Sequence, residues 1–339
     1  MTSRAAIALG SEPSMTESAR MVLAKGGTSV DACITGFFTA AGAHPGVLLG
    51  CVSLLVAGTG VGEHLFDGSV VQPGVGAPRP RGFQQDDLIP VSARIPVAAT
   101  GAMLSAVHAY GGSIPMSELA TPGVRLAQAA RAAGRAHLLR RVGDAGPVAL
   151  RESSFVRALL EIGGRHEGGN VTQQDLADVQ ASILEPCRMQ GVIHASAEPF
   201  AGDVPELTCL MMMASDPRGV LAVMHCAFDP QGPEVAPHQV TVSRLAVPVR
   251  RGIPRVRPGS PIRLPIPIAL LMEGRTPWAA VGIHKVEAVD WQIVMDRVKA
   301  DLSLEQSLRA ALVDNHPERR VFAIVRATGS GAPRASEIK

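Results

Sequence analysis

A chain of 339 residues that is 46% hydrophobic, 18% charged and only 3% aromatic has an ordinary globular composition, long enough for one large core or two smaller ones. Its net charge of +2 gives no electrostatic reason to expect nucleic acid or an anionic membrane as partner, and no stretch reaches the roughly 18 apolar residues of a membrane span. The cysteines, Cys33, Cys51, Cys187, Cys209 and Cys226, are odd in number and hold no C-x-x-C pair, which argues against a disulfide framework and a zinc site. The run M-T-S-R-A-A-I-A-L-G is too short in apolar residues for a signal peptide, so a cytoplasmic protein without metal or cofactor is expected.

In chain order, a short strand at 5–9 leads to a helix at 14–24, where Ser14 with Glu17 three residues on makes a capping box. Residues 29–43 are apolar nearly all round and predict a buried central helix. After a Gly-containing turn at 44–50 comes an apolar strand at 51–57 that stops at Gly58. A second strand near 64–66, with Asp67 and Gly68 as a turn, predicts a hairpin. Residues 73–82 are a Pro/Gly-rich loop. Helices are expected within 95–110, over 117–133, over 153–162 and over 173–179, the last capped by Thr172 ahead of Asp175.

From Val192 to Val281 strands dominate, and at their centre 207–213 and 220–228 are near-continuous apolar runs of strand length. The S-D-P-R-G between them supplies turn chemistry through Asp216, Pro217 and Gly219, so the pair reads as a hairpin covered on both faces. A helix at 302–312 and a strand at 321–326 follow. Helices first, antiparallel strands next and a helix again predict a layered α+β protein rather than a βαβ repeat.

Several segments carry a family resemblance. The run S-E-P-S-M-T-E-S-A-R-M-V-L-A-K-G-G-T-S-V-D-A at 11–32, then H-P-G-V-L-L-G at 44–50, resembles the N-terminal part of the γ-glutamyltranspeptidases. So does P-V-A-A-T-G-A-M-L-S-A-V-H-A-Y-G-G-S-I-P-M-S-E-L at 96–119. G-G-N-V-T-Q-Q-D-L-A at 168–177 is similar to a family helix start, and L-S-L-E-Q-S-L-R-A-A at 302–311 to its C-terminal helix, all in the family's order. The resemblance implies one domain over 1–339, with 1–204 matching a shortened large subunit and 205–339 the small subunit. The implied fold is the four-layer αββα sandwich of the N-terminal nucleophile hydrolase type.

The family's chemistry is not preserved. Its members begin the small subunit with a Thr whose own amine, freed by autoproteolysis, serves as base for its hydroxyl. The corresponding strand here is L-T-C-L-M-M-M. Its apolar pattern puts Leu207 at the nucleophile position, whereas counting back from Gly219 puts Cys209 there. Residues 207 and 209 share a face of the sheet, so Cys209 is the candidate substitute, and Thr208 would need a register slip. The family's carboxylate-binding arginine corresponds to Gly74, with Arg79 and Arg81 just beyond as replacements. Its substrate-binding Thr and Asn fall on Ala227 and Asp229, its Ser-Ser pair on Arg263 and Leu264, and its oxyanion Gly pair near Lys285 and Val286.

The remaining candidates are His284 and Lys285 as acid/base or charge stabiliser, and His225 on the hairpin's second strand. To these are added His44, as a ligand contact in its loop, and Asp229, as an amine binder or base. Each has a structural counterpart: a core thiol, a hydrogen-bonded core histidine, an exposed strand-end pair. An α-amino acid headgroup has lost its carboxylate partner, so ordinary γ-glutamyl transfer is not expected. Two functions stay open: an unprocessed enzyme acting on an acyl, amide, thioester or activated C–C bond of a small or carrier-bound specialised metabolite, or a pseudoenzyme serving as a scaffold. An autoprocessed Cys/Thr amidohydrolase or acyltransferase is a third. A homodimer is one way to cover surface that longer relatives bury.

Overall fold

The computed structural model describes residues 6–77, 82–84, 87–189, 191–195, 205–252, 254–284, 304–309, 320–326 and 333–338. Two six-stranded antiparallel sheets face each other. The first is built from β1 (Ile7–Gly10), β2 (Cys51–Gly58), β3 (Gly62–Gly68), β4 (Ser182–Leu184), β7 (Thr208–Ser215) and β8 (Leu221–Phe228), in the order β1-β7-β8-β2-β3-β4. The second holds β5 (Cys187–Met189), β6 (Val192–His194), β9 (Ile268–Glu273), β10 (Thr276–His284), β11 (Arg320–Val325) and β12 (Arg334–Ile338), in the order β12-β11-β10-β9-β6-β5. The helices α1 (Pro13–Ala24), α2 (Ser29–Ala43), α3 (Thr100–Gly111), α4 (Met116–Ala129), α5 (Ala133–Ala145), α6 (Ser153–Gly163) and α7 (Gln173–Asp178) belong to the chain outside the second sheet, and most bury their apolar faces on the first. On the far side, α8 (Leu304–Leu308) sets Leu308 against the outer face of the second sheet, beside Ala279, Val281 and Ile338.

The period of two along β7 explains why it reads as a continuous apolar run. Leu210, Met212 and Ala214 enter the core under the helices, while Met211 and Met213 enter the core between the sheets. β7 and β8 form the expected hairpin, turning through Asp216, whose carboxylate accepts from the Arg218 and Val220 amides, and Gly219, whose φ of +87° suits a residue without a Cβ. Capping fixes two helix starts: Thr28 with Asp31 closes a capping box on α2, and Thr172 with Asp175 closes one on α7. α2 crosses α4 at Gly42 and Gly123, where a Cβ on Gly123 would collide with the Phe38 carbonyl.

Three expectations are corrected and one strand is added. No box forms at Ser14, because Pro13 takes the first helical position and Glu12 becomes the N-cap. Asp67 and Gly68 lie inside β3 rather than in a turn, and the hairpin reverses between Gly58 and Gly62 instead. The helix expected over 117–133 forms as α4 but stops at Ala129, where Arg131 adopts φ +57° before α5 starts at Ala133. A strand after 321–326, β12, was not expected at all. Among the described residues no helix is long and apolar enough to cross a membrane.

Candidate functional site

At one end of the sandwich, side-chain alternation brings polar groups into the space between the sheets. Leu221 and Val223 of β8 face that space, so His225 and Ala227 follow on the same side. By the same count Leu55 and Ala57 carry Cys51 and Ser53 with them, and Leu65 carries Asp67. The strand register lines these up: Asp67 pairs with Ser53, Ser53 with His225, and His225 with Met211, in one row across four strands. The next row is Cys51, Ala227 and Cys209. From the second sheet, Gly282 packs on Met211 so closely that a Cβ would collide with the Met211 sulfur, and two residues on His284 comes to the His225 end of the row.

The electrostatics follow from burial. His225 is 4% exposed, and its loss of water, with a smaller push from His284, brings its imidazole pKa down to about 4, so the ring is neutral at physiological pH. Burial likewise drives the Cys51 thiol up to about 12, with Asp67 and Cys209 adding to the rise. Cys33 and Cys226, on the helical side, are raised by burial as well. Asp67 is fixed by the Ser69 amide at 2.9 Å and hydroxyl at 2.6 Å on one oxygen and by Arg263 Nε at 2.8 Å on the other. A cavity of about 290 Å³ lies against this group, bordered by Asp67, Ser69, Asp178, Ser182 and Pro261. An apolar cluster of Cys51, Val70, Ala227, Leu245, Ile262 and Leu264 closes the end of the sandwich and packs against half-buried Leu207 and Cys209.

Of the residues expected from sequence, Cys209, His225 and His284 therefore share this end of the sandwich. Thr208 falls on the opposite face of β7, the side of Leu210, paired with Phe228. Asp229 does not join them. Its buried carboxylate takes Arg244 Nε at 2.5 Å and Nη2 at 3.1 Å and the Gln231 amide at 2.9 Å. His44 also lies elsewhere, on the helical face, with Nε2 2.6 Å from Glu12 and its ring 5.6 Å from that of Phe228. Gly74, at the lost arginine's position, gives its amide to Asp175 at 2.8 Å. Lys285, Arg79 and Arg81 lie outside the described residues. Ser53, Asp67 and Cys51 were missed, although the alternation within 51–57 already placed Cys51 and Ser53 on one face. Among the described residues no group of three or more His, Cys, Asp or Glu is arranged to hold a metal ion.

Two facing antiparallel sheets between helical layers make a four-layer αββα sandwich, and solved structures share that fold. Among solved structures, LmbA2991T421A matches with a TM-score of 0.76 at 13% identity, over 99% of this chain and 97% of that one. Cephalosporin acylase from Bacillus halodurans matches with a TM-score of 0.73 at 12% identity, over 99% and 94%. γ-Glutamyltranspeptidase from Pseudomonas nitroreducens, complexed with L-DON, aligns over 53% of this chain and 66% of its own at 20% identity and a TM-score of 0.44. With the first two structures the fold is what is shared. No family model and no curated protein matches the sequence.

Proposed function

We propose that the protein is a divergent, unprocessed enzyme on the γ-glutamyltranspeptidase-like fold, in which Cys209 has replaced the threonine nucleophile and His225 the free amine as base. The observation that supports this most is the convergence of Cys209, His225 and His284 at one end of the inter-sheet space. Residues 209 and 225 are diagonal neighbours on adjacent strands, a spacing that a ring side chain bridges. A neutral imidazole is the form that can accept a proton. In the proposed reaction, His225 takes the Cys209 thiol proton and the thiolate adds to the carbonyl of an amide or thioester. The imidazolium then returns its proton to the leaving amine or thiol, and the acyl-cysteine passes its acyl group to water or a second acceptor. Burial, with a smaller push from the charge of His284, sets the proton affinity of His225. The substrate class is an acyl compound of specialised metabolism, free or carrier-bound, handled by a cytoplasmic homodimer.

Turnover of a panel of acyl thioesters and p-nitroanilides by wild type, Cys209→Ala and His225→Gln tests the proposal. Losses of about 10²-fold or more in kcat/KM for both variants are expected, by the usual weight of acid–base and nucleophilic groups. Turnover that is unchanged in Cys209→Ala would refute it. A second reading, a catalytically inactive scaffold, draws on the apolar cluster that packs against Cys209 and on Arg263 closing over Asp67. It expects no turnover of any acyl compound and unchanged partner binding in Cys209→Ala.

A further inference from the structure

The stretch 244–263 carries six arginines, and no Asp or Glu occurs between Glu234 and Glu273. Two of the six are used inside the protein, Arg244 on Asp229 and Arg263 on Asp67. Arg250, Arg251, Arg255 and Arg257 make no ion pair among the described residues; the last three are exposed, and Arg250 is half-buried with no acceptor for its Nε. Surface arginines elsewhere, such as Arg141, Arg188 and Arg320, meet Glu152, Glu63 and Glu337. Hydrogen bonds fix where the basic stretch lies. Arg250 pairs with Phe83, and the Arg251 amide donates to the Phe83 carbonyl at 3.2 Å. A turn then brings the Ser260 amide to the Arg257 carbonyl at 3.1 Å, with the Gly259 amide on the Gln72 carbonyl at 2.8 Å and the Gln72 amide on the Ser260 carbonyl at 2.9 Å. Gly259 and Pro261 border the cavity of about 290 Å³ that lies against Asp67, and Ile262 and Leu264 enter the apolar cluster packed on Cys209. The segment with the unpaired arginines therefore runs straight into the wall of the sandwich end that holds Cys209.

We infer that this basic rim docks the acidic face of a carrier protein that presents the acyl group as a thioester. Four like charges between 250 and 257 repel one another, and an anionic surface brought against them relieves that cost while steering its own approach. The stretch 244–263 holds no aromatic residue on which a base could stack, and none of its described residues is helical, so it offers no amphipathic face to a bilayer. Docking here rests on the Cys209 reaction proposed above. Cys209 Sγ bonds to the acyl carbon, the C–S bond to the carrier breaks, and the carrier thiol leaves with the proton held by His225. Charge at the rim speeds the encounter with an acidic carrier and leaves a neutral thioester without that help.

Steady-state rates for a panel of acyl groups, each offered on an acidic acyl carrier protein and on N-acetylcysteamine, test the docking. Wild type at about 50 mM salt should favour the carrier-bound form at least about ten-fold in kcat/KM, and about 500 mM salt should remove that preference through KM. The triple variant Arg251→Glu, Arg255→Glu, Arg257→Glu should remove it at low salt. A wild type without the preference, or a variant that keeps it, overturns the docking and leaves the Cys209 reaction standing. If neither thioester is turned over, the Cys209 reaction falls, and fluorescence anisotropy of the labelled carrier decides the docking by itself. Binding that the triple variant weakens at least about ten-fold supports the rim. No binding, binding of equal strength in the variant, or binding of phosphatidylserine vesicles or duplex DNA in place of the carrier overturns it.

Discussion

Replacing His225 by Gln should remove a defined part of the protein's acid sensitivity. In the folded state the imidazole titrates at about 4 because burial, helped by His284, disfavours its charged form, against 6.5 in an exposed chain. Above pH 6.5 the ring is neutral in both states and the folded state loses nothing. Between 6.5 and 4 the unfolded chain binds a proton that the folded chain refuses, so stability falls as the pH falls. Below 4 the folded ring charges too, and the loss is complete. At about 1.36 kcal/mol per pH unit the full effect is about 3 kcal/mol, of which about 2.5 kcal/mol is spent by pH 4.5. Urea unfolding of wild type and His225→Gln at pH 7.5 and 4.5 isolates it. Lowered groups such as Glu12 and His238 act equally in both proteins and cancel in the comparison. Wild type should lose about 2.5 kcal/mol more than the variant between the two pH values. Equal losses would mean that His225 titrates in the folded protein as it does in an exposed chain, which would contradict its burial away from water.

Three further outcomes follow. A native thiol titration with Ellman's reagent should modify exposed Cys187 and half-buried Cys209 rapidly, leaving Cys33, Cys51 and Cys226 until urea is added, and fast reaction at any of those three would contradict the packing at the sandwich end. Asp229→Asn breaks a buried pair with Arg244 and should cost about 3 kcal/mol in urea unfolding; a stable variant with lost turnover would instead return Asp229 to the active site. Gly123→Ala drives a methyl into the Phe38 carbonyl where α2 meets α4 and should lower stability by about 2 kcal/mol, and a wild-type melting temperature would show that the helices can part there without cost.

The central hairpin was legible because both faces of it are covered, which leaves an unbroken apolar run with turn residues between. The capping pair Thr172 and Asp175 was legible for the same local reason, whereas the identical pattern at Ser14 failed because Pro13 had already set the helix start. Leu207 and Cys209 could be placed on a common face by counting in twos, whereas the side that His225 faces needed the pairing register of β7 with β8. Asp67 could not, since a D-G pair mimics a turn and its partner Arg263 stands 196 residues away. The pairing of Asp229 with Arg244 was hidden for a related reason: Arg244 sits in a polar, Pro-rich span whose path is set by tertiary contacts rather than by periodicity. The Glu12–His44 pair joins residues 32 apart and depends on how two helix ends meet, which propensity does not encode.

Intact-mass spectrometry of the purified protein, before and after incubation with an acyl thioester, tests the proposed chemistry most directly. The mechanism predicts one chain of 35.3 kDa that gains a single acyl group on Cys209, an adduct absent from Cys209→Ala. Two fragments meeting at Thr208 or Cys209, or a chain that gains no acyl group from any thioester offered, would contradict it.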